Sequence, residues 1–151
     1  MFSSPHALFR TFGIAEVISW TLLIGGLILR AAAGWDLAVT IGGGIHGFVF
    51  LAYGTTAVLV AKNQRWRPYP TTVAIVSAVV PYATIPVDIW LTRSSRLTGA
   101  WRLNATEDPR DQLWHDRLMR LVIRHPAQSL VVGFLAVAVV FTVLVVLGPP
   151  V

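Results

Sequence analysis

Leu37 to Ala61 reads LAVTIGGGIHGFVFLAYGTTAVLVA, a stretch of the chain without a single Asp, Glu, Lys or Arg. As an α-helix it is about 37 Å long, which exceeds the roughly 30 Å of hydrocarbon in a bilayer. Ala127 to Leu147 is equally free of these charged residues and is also long enough to cross. The two stretches therefore predict two membrane-spanning helices.

Two further apolar segments, Phe9 to Leu29 and Thr71 to Leu91, precede and follow the first stretch. Of the 151 residues, 55% are hydrophobic and 13% are charged, which is too apolar for a soluble domain of this size. The apolar runs lack the alternation of barrel strands, and helices satisfy their own backbone groups in lipid. We predict an all-α, multi-pass protein of the bacterial plasma (inner) membrane, a compact bundle of three to four transmembrane helices.

The third segment, Thr71 to Leu91, contains Pro81 and Pro86, and each proline removes a backbone donor and crowds the preceding turn. We expect a kink or break near Pro81. The segment then either crosses the membrane or enters and returns on the same side, and the residues of the segment leave both alternatives open.

The distribution of cations bears on this choice. If all four segments cross, four Lys and Arg residues lie on one side and eight on the other. If the third segment is re-entrant, eleven lie on the cytoplasmic side and Arg30 alone on the other, which fits the positive-inside rule better. The re-entrant alternative places the N-terminus inside the cell.

A polar region at 94–126 separates the third and fourth segments. Asp108 is a candidate N-cap, with Pro109 at the first helical position of a helix that extends to His125. The apolar arc of this helix and a neighbouring basic arc predict an amphipathic helix on anionic lipid headgroups, and packing on a partner subunit is the alternative. The apolar arc is Trp114, Leu118, Leu121 and Val122, and the basic arc is Arg110, Arg117, Arg120 and Arg124. We treat 1–151 as a single membrane domain: a three-segment core at 8–93, this polar loop, and a C-terminal transmembrane helix at 127–147.

Glu16 and His46 are the polar residues placed deepest in the apolar segments. A carboxylate in hydrocarbon is costly unless it is paired or protonated, so Glu16 should face protein, with Ser19 and Trp20 on the same helix face. In an antiparallel hairpin of segments one and two, the helical rise places Glu16 and His46 at depths that differ by about 6 Å. We therefore predict a Glu16–His46 pair, direct or through water, that either stabilises the hairpin or relays protons.

Small residues also mark the second segment. Gly43 and Gly47 form a GxxxG face that Gly54 extends, and such faces let a neighbouring helix approach closely. Asp88, near the end of the third segment, is predicted to be an interfacial anchor or to form a salt bridge with a loop arginine.

Several kinds of site are not expected. The chain has no cysteine, and it has no HExxH, GxSxG or P-loop motif. A bis-histidine haem site needs two histidines within the spans, and His46 is the single candidate. We expect no metal, no cofactor and no enzyme activity; a lipid-headgroup enzyme using the basic arc and His115 is a weaker alternative. The net charge of +5 lies beside apolar segments, which indicates lipid headgroups and no nucleic acid.

Three groups of residues carry a resemblance to a known family. They are Leu8-Phe9-Arg10 with Ala15-Glu16-Val17-Ile18-Ser19-Trp20, Ile45-His46-Gly47 with Phe50 and Tyr53, and Pro81 with the ending from Asp88 to Trp90. Over about residues 8–93 the chain resembles the YdzA-like family of small bacterial integral membrane proteins (domain of unknown function 3817). The resemblance implies a membrane protein of a family common in actinobacteria, and it implies no activity.

These patterns lead to two functional hypotheses. The first is a non-catalytic accessory or assembly subunit of a larger inner-membrane complex, such as respiratory cytochrome or cell-envelope lipid machinery. The second is a small transporter or lipid-handling protein, working as a homo-oligomer, that uses the Glu16–His46 pair in a polar pathway. Solvent access discriminates between them, because a relay needs a hydrated path and a structural pair must be sealed.

Overall fold

The computed structural model describes residues 4–147, and the regular structure of these residues is entirely helical. The described residues form two compact units that divide between Trp101 and Arg102. Unit 1 contains α1, α2, α3 and α4, and unit 2 contains a short 3-10 helix, α5 and α6. The bounds are α1 Pro5–Ala33, α2 Asp36–Asn63, α3 Pro68–Val76, α4 Thr84–Arg93, the 3-10 helix Pro109–Gln112, α5 Trp114–Arg124 and α6 Pro126–Leu147.

Helices α1 and α2 form a long antiparallel hairpin. Ser4 caps α1 by accepting a hydrogen bond from the backbone N–H of Ala7, and Pro5 takes the first helical position. Gly34 ends α1 with a φ of 68°, a left-handed conformation that glycine adopts without strain. Both helices are long and apolar enough to cross a membrane, as predicted for the first two segments.

The two helices approach closely at Gly26 and Gly42. A Cβ atom on Gly26 would lie 2.7 Å from the carbonyl oxygen of Ala38, and one on Gly42 would lie 2.8 Å from that of Leu22. Glycine is therefore required at both positions, because a side chain would force the backbones apart.

The glycine face predicted from sequence does not form the contact between α1 and α2. A Cβ atom on Gly43 would meet only a Leu23 methyl group, and one on Gly47 or Gly54 would meet nothing within 4 Å. Within unit 1, α1 and α2 approach each other at Gly26 and Gly42, and the face of Gly43, Gly47 and Gly54 stays a prediction for a helix outside the unit. The rotation of α2 about its axis decides which glycines face α1.

The third apolar segment forms a short hairpin of α3 and α4. The predicted break is present, since Pro81 lies in the turn between the two helices, where Tyr82 has a φ of 65°. With nine residues, α3 is about 14 Å long, roughly half the thickness of a bilayer core.

Both ends of the short hairpin lie at the same end of the long hairpin. The residues after α4 return to the residues before α3, since Trp66 Nε1 donates to the Arg96 carbonyl at 2.8 Å and Asn63 Nδ2 to the Ala100 carbonyl at 3.0 Å. The turn reaches the middle of α1, where Trp20 Nε1 donates to the Ala78 carbonyl at 3.2 Å. The short hairpin thus runs to the middle of the long hairpin and back to the end where it began. We call the end of unit 1 where α1 begins and α2 ends the charged end, and the Gly34 end the far end.

The buried apolar core of unit 1 lies between the short hairpin and the adjoining half of the long hairpin. Phe9 packs against Tyr53 and Trp66, with ring centroids 5.4 and 6.1 Å apart. The buried members of this core are Phe9, Tyr53, Ala57, Val60, Ala74, Ala78, Leu91 and Leu97.

In unit 2, the single helix predicted from Asp108 to His125 is divided into two. Asp108 does act as a cap, but of the 3-10 helix, where its carboxylate accepts from the Arg110 N–H at 2.9 Å. Leu113 then has an extended backbone, and α5 begins at Trp114. The division coincides with the buried Asp111 carboxylate, which accepts hydrogen bonds from the backbone and the hydroxyl of Thr106.

Candidate functional site

Glu16 lies in the part of α1 that packs against the short hairpin, and its side chain is completely buried. It belongs to a helix face that also carries Gly13, Ser19 and Trp20, at spacings of three and four residues. This face is directed toward α2 and the short hairpin. The sequence prediction that Glu16 faces protein is consistent with this placement.

Ser19 lies between Glu16 and His46. Its hydroxyl oxygen is 3.2 Å from Glu16 Oε2 and 3.0 Å from His46 Nδ1, and it also donates to the Glu16 carbonyl at 2.9 Å. His46 Nδ1 is itself 3.9 Å from Glu16 Oε2. The structure therefore brings the predicted pair together, with the Ser19 hydroxyl between the two side chains. We call Glu16, Ser19 and His46 the polar lock.

Aromatic rings enclose the imidazole of His46. The ring centroid of Trp20 is 4.3 Å from that of His46, and the ring centroid of Phe50 is 6.1 Å away. Because Trp20 also donates to Ala78 in the turn of the short hairpin, it connects the lock to that turn. The polar lock thus contacts α1 and α2 directly and the short hairpin through Trp20.

Sequence reasoning missed the hydroxyl groups that the short hairpin contributes. Thr84 Oγ1 donates to the Gly13 carbonyl at 2.9 Å, and Ser77 Oγ is 3.0 Å from the hydroxyl of Tyr53. All three of these side chains are buried. The spacing that places His46 and Tyr53 on one face of α2 was visible in the sequence. The positions of Ser77 and Thr84 along the long hairpin were not, because they depend on the turn at Pro81.

Asp88 is buried at the charged end of unit 1, and its ion-pair partners differ from the predicted loop arginine. Arg10 Nε on α1 is 3.5 Å from Asp88 Oδ2, and His6 Nε2 is 3.9 Å from Asp88 Oδ1. Asp88 thus anchors α4 to α1. The predicted loop partner would have to lie beyond the end of α4, whereas Arg10 lies directly opposite on the neighbouring helix.

Two buried carboxyl oxygens of unit 1 have no hydrogen bond within the part of the chain that the structure describes. They are Glu16 Oε1 and Asp88 Oδ1. A buried carboxyl oxygen without a donor is unfavourable, so each of these atoms requires a proton or a water molecule.

The predicted basic arc of unit 2 does not form one surface. Arg120 is buried: it donates to the Asp111 carbonyl and lies 3.8 Å from the Asp111 carboxylate, so it is not available to a lipid headgroup. The buried ion pair with Asp111 determines this position, and helical spacing alone could not reveal it.

The other arginines of the predicted arc are exposed. Arg110 pairs with Asp108, whose hydrogen bonds and charge raise the pKa of the guanidinium. Arg117 donates to Gln112, and Arg124 donates to the Leu103 carbonyl and to Asn104. The apolar side of α5, from Trp114 to Leu121, is exposed in unit 2, and His115 lies 3.1 Å from Asp116.

Among residues 4–147, no three His, Asp or Glu side chains lie close enough together to hold a metal ion. The site built by unit 1 is therefore best described as a buried acid, a hydroxyl and an imidazole, with a second buried acid at the charged end.

The profile of the domain of unknown function DUF3817 matches residues 6–93, which is the part of the chain that contains both buried acids and His46. The chain belongs to the DUF3817 family. The match ends with α4, so the DUF3817 part comprises the long hairpin and the short hairpin, while unit 2 lies outside it.

Two relatives are each similar to this chain over about 90 residues. SCO5905 of Streptomyces coelicolor, named as a membrane protein, is 37% identical over 91 residues, which are 59% of this chain and 11% of SCO5905. YdzA of Bacillus subtilis, named an uncharacterized membrane protein, is 29% identical over 89 residues, which are 58% of this chain and 93% of YdzA. The chain thus spans about a tenth of the first relative and nearly all of the second. No solved structure matches the chain.

Proposed function

We propose that the protein is a non-catalytic accessory or assembly subunit of a larger complex in the bacterial inner membrane, and that the polar lock holds its DUF3817 part together. The observation that carries this proposal is the enclosure of the lock. Glu16 has no exposed side-chain surface and the His46 side chain is 13% exposed. A buried polar group in a membrane protein stabilises helix association when its partners are also buried, which is the arrangement of a structural pair.

The relatives add support of a different kind. The residues that match this chain make up 93% of YdzA, yet they make up 11% of SCO5905, a much longer chain. A unit that occurs both nearly alone and within a longer membrane chain is suited to work beside other membrane segments. Respiratory cytochrome and cell-envelope lipid machinery are the hosts that we propose.

The proposed topology follows from the short hairpin. If it is re-entrant, the charged end of unit 1 carries six cations and the far end carries one, so the charged end and the N-terminus lie in the cytoplasm. The six are Arg10, Lys62, Arg65, Arg67, Arg93 and Arg96, and the one is Arg30. We propose that α1, α2 and α6 cross the membrane, which makes three crossings.

We propose that α5 lies on the cytoplasmic membrane surface. Trp114, Leu118 and Leu121 are exposed along one side of α5, and Arg117 and Arg124 are exposed beside them. An apolar side flanked by cations is suited to anionic lipid, where the rings and aliphatic groups enter the interface and the guanidinium groups contact phosphate.

Recovery of the tagged protein from its native membrane in mild detergent tests the proposed function. We expect it to copurify with a larger complex in fixed proportion, and we expect the Glu16→Gln, His46→Gln double variant to lose that complex. Asp36→Asn is the matched control, because Asp36 is an exposed acid at the far end that pairs with Arg30 and has no contact with the lock. Recovery of the wild-type protein alone, or as a small homo-oligomer, would contradict the proposal.

One observation favours the transporter alternative. Glu16 Oε1 is buried without a hydrogen bond in the described structure, as a group that binds and releases a proton would be. Proton flux into proteoliposomes that contain the protein, abolished by Glu16→Gln and retained in Asp36→Asn, would establish this alternative.

A further inference from the structure

Glu16 and Asp88 stand at the two ends of one buried set of polar groups in unit 1. On α1, Arg10, Gly13 and Glu16 follow one another at intervals of three residues, so they form three layers about 4.5 Å apart along the helix, each turned by about 60° from the one before. Asp88 lies opposite Arg10 in the first layer, at 3.5 Å.

Two hydroxyl-bearing residues occupy the middle layer. Thr84 donates to the Gly13 carbonyl, and a Cβ atom on Gly13 would lie 3.9 Å from both Thr84 Cβ and Tyr53 Cε2. Gly13 therefore leaves space between these two side chains at the depth halfway from Asp88 to Glu16. We call Asp88, Thr84, Tyr53 and Glu16 the polar column.

Both acids of the polar column have an oxygen without a hydrogen bond, and both of these oxygens are buried. Buried water normally satisfies such atoms where several polar partners surround it, and the column supplies hydroxyls and carbonyls as well as carboxyl groups. The two oxygens thus indicate a bound ligand. Water fits the hydroxyls, carbonyls and carboxyl groups of the column, because it can both donate and accept hydrogen bonds.

The two ends of the column differ in their access to solvent. At the charged end, Arg10 is exposed beside Asp88 and His6 is half-buried. Beyond His46, in the direction of the far end, the next turn of α2 brings Gly42 into backbone contact with Leu22. Two helices whose backbones touch leave no room for water between them.

We propose that water held in the polar column connects Glu16 with the charged end of unit 1, and with that end alone, so that the lock exchanges protons with one side of the membrane. This inference rests on the polar lock of the proposed function and adds its regulation, namely a response to the pH at the charged end. Because Gly42 and Leu22 close the other direction, a path from one end alone carries no proton across the membrane, and the lock remains a structural pair and not a relay. The groups that face Glu16 or the path are His46 and Tyr53 from α2, Asp88 from α4, and Arg10 and His6 from α1; the titratable residue of α3, Tyr69, is exposed.

Hydrogen–deuterium exchange of the Glu16 carboxyl group tests the inference. The full chain in lipid nanodiscs is mixed with deuterated buffer, and the infrared C=O band of the protonated acid is followed in time. Its absence from Glu16→Gln assigns the band. We expect Asp88→Asn and Thr84→Val to slow the exchange by about tenfold or more, because each removes a group that passes protons along the column.

Two further variants complete the experiment. Gly13→Ala adds a methyl group at ordinary contact distance in the middle layer, so it should preserve the fold and also slow the exchange by occupying space for water. Asp36→Asn makes the same chemical change as Asp88→Asn at the far end, and it should leave the exchange rate unchanged. Circular dichroism verifies the fold of every variant.

Three results would overturn the inference: the absence of a Glu16-dependent acid band, an unchanged exchange rate in both Asp88→Asn and Thr84→Val, or slower exchange in Asp36→Asn. These results are separate from a failure of the proposed function. If the lock variants lose their complex while the column variants exchange normally, the subunit proposal stands and the proton path is wrong.

Discussion

The long hairpin has two halves that are built on opposite principles. In the half near the charged end, the short hairpin covers α1 from His6 to Thr21, and the buried side chains include two acids, several hydroxyls and a large aromatic core. In the half near the far end, α1 and α2 contact each other at Gly26 and Gly42 and direct large apolar side chains outward. We call these the covered half and the bare half.

The difference shows that the two halves of the long hairpin hold their helices together by different interactions. In lipid, apolar side chains gain no hydrophobic free energy from contact with another helix. The two helices of the bare half therefore associate through the close approach of their backbones. Polar groups in hydrocarbon require enclosure, and the short hairpin provides it in the covered half. The buried polar groups of the long hairpin therefore lie in the covered half, and the bare half exposes large apolar side chains.

The largest effect is expected from a cavity in the covered half. Phe9→Ala empties a fully buried site between Tyr53 and Trp66 and should lower the free energy of unfolding by about 3 kcal/mol. Phe48→Ala makes the same change on the exposed side of α2, and its effect should stay within about 0.5 kcal/mol. Unfolding by sodium dodecyl sulfate in mixed micelles measures both values. Equal losses in the free energy of unfolding would show that Phe9 is no more buried than Phe48.

The next largest effect is expected where the bare half is tightest. Gly42→Ala places a methyl group 2.8 Å from the Leu22 carbonyl oxygen, so the helices must separate locally, at a cost of about 2 kcal/mol. Gly44→Ala is the control, since its methyl group meets nothing within 4 Å and alanine favours the helix. The same micelle titration compares them. If Gly42→Ala is as stable as Gly44→Ala, backbone contact does not hold the bare half together.

A smaller effect is expected from one hydrogen bond of the covered half. Tyr53→Phe removes the hydroxyl that contacts Ser77 and should cost about 1 kcal/mol. Tyr69→Phe, at an exposed tyrosine, should have no measurable effect on unfolding. Loss of stability in Tyr69→Phe but not in Tyr53→Phe would show that the short hairpin is seated differently.

The smallest effect is expected at the far end of the bare half. Asp36→Asn removes an ion pair with Arg30 that is 2.9 Å long and well exposed, so it should change the free energy of unfolding by less than about 0.5 kcal/mol. Because salt screens exposed charges, even this change should disappear in concentrated salt. A large, salt-resistant loss would place the pair in a buried interface.

Sequence reasoning reached the features that depend on one or two helices. The uncharged length of α2, the break at Pro81 and the proximity of Glu16 to His46 all follow from composition and helical rise, because a short turn fixes the register of a hairpin. The break and the proximity also indicated the part of unit 1 in which the polar lock lies.

The features that sequence reasoning missed depend on rotation and on distant partners. The contact of α1 with α2 at Gly26 and Gly42 was not identified, because a rotation of α2 by one residue changes which glycine faces α1. Arg120 was placed among the exposed arginines, although its partner Asp111 is nine residues away and beyond a break in the helix. No periodicity within a single helix contains that information.

The turn at the far end has a consequence for the biosynthesis of the protein. Only Gly34 and Trp35 separate the last residue of α1 from the first residue of α2. Two spans with so short a connection leave the ribosome in close succession and fit a joint insertion into the bilayer as a helical pair. Glu16 can then meet Ser19 and His46 while the chain is being inserted, so that its carboxyl group does not have to enter lipid before its partners arrive.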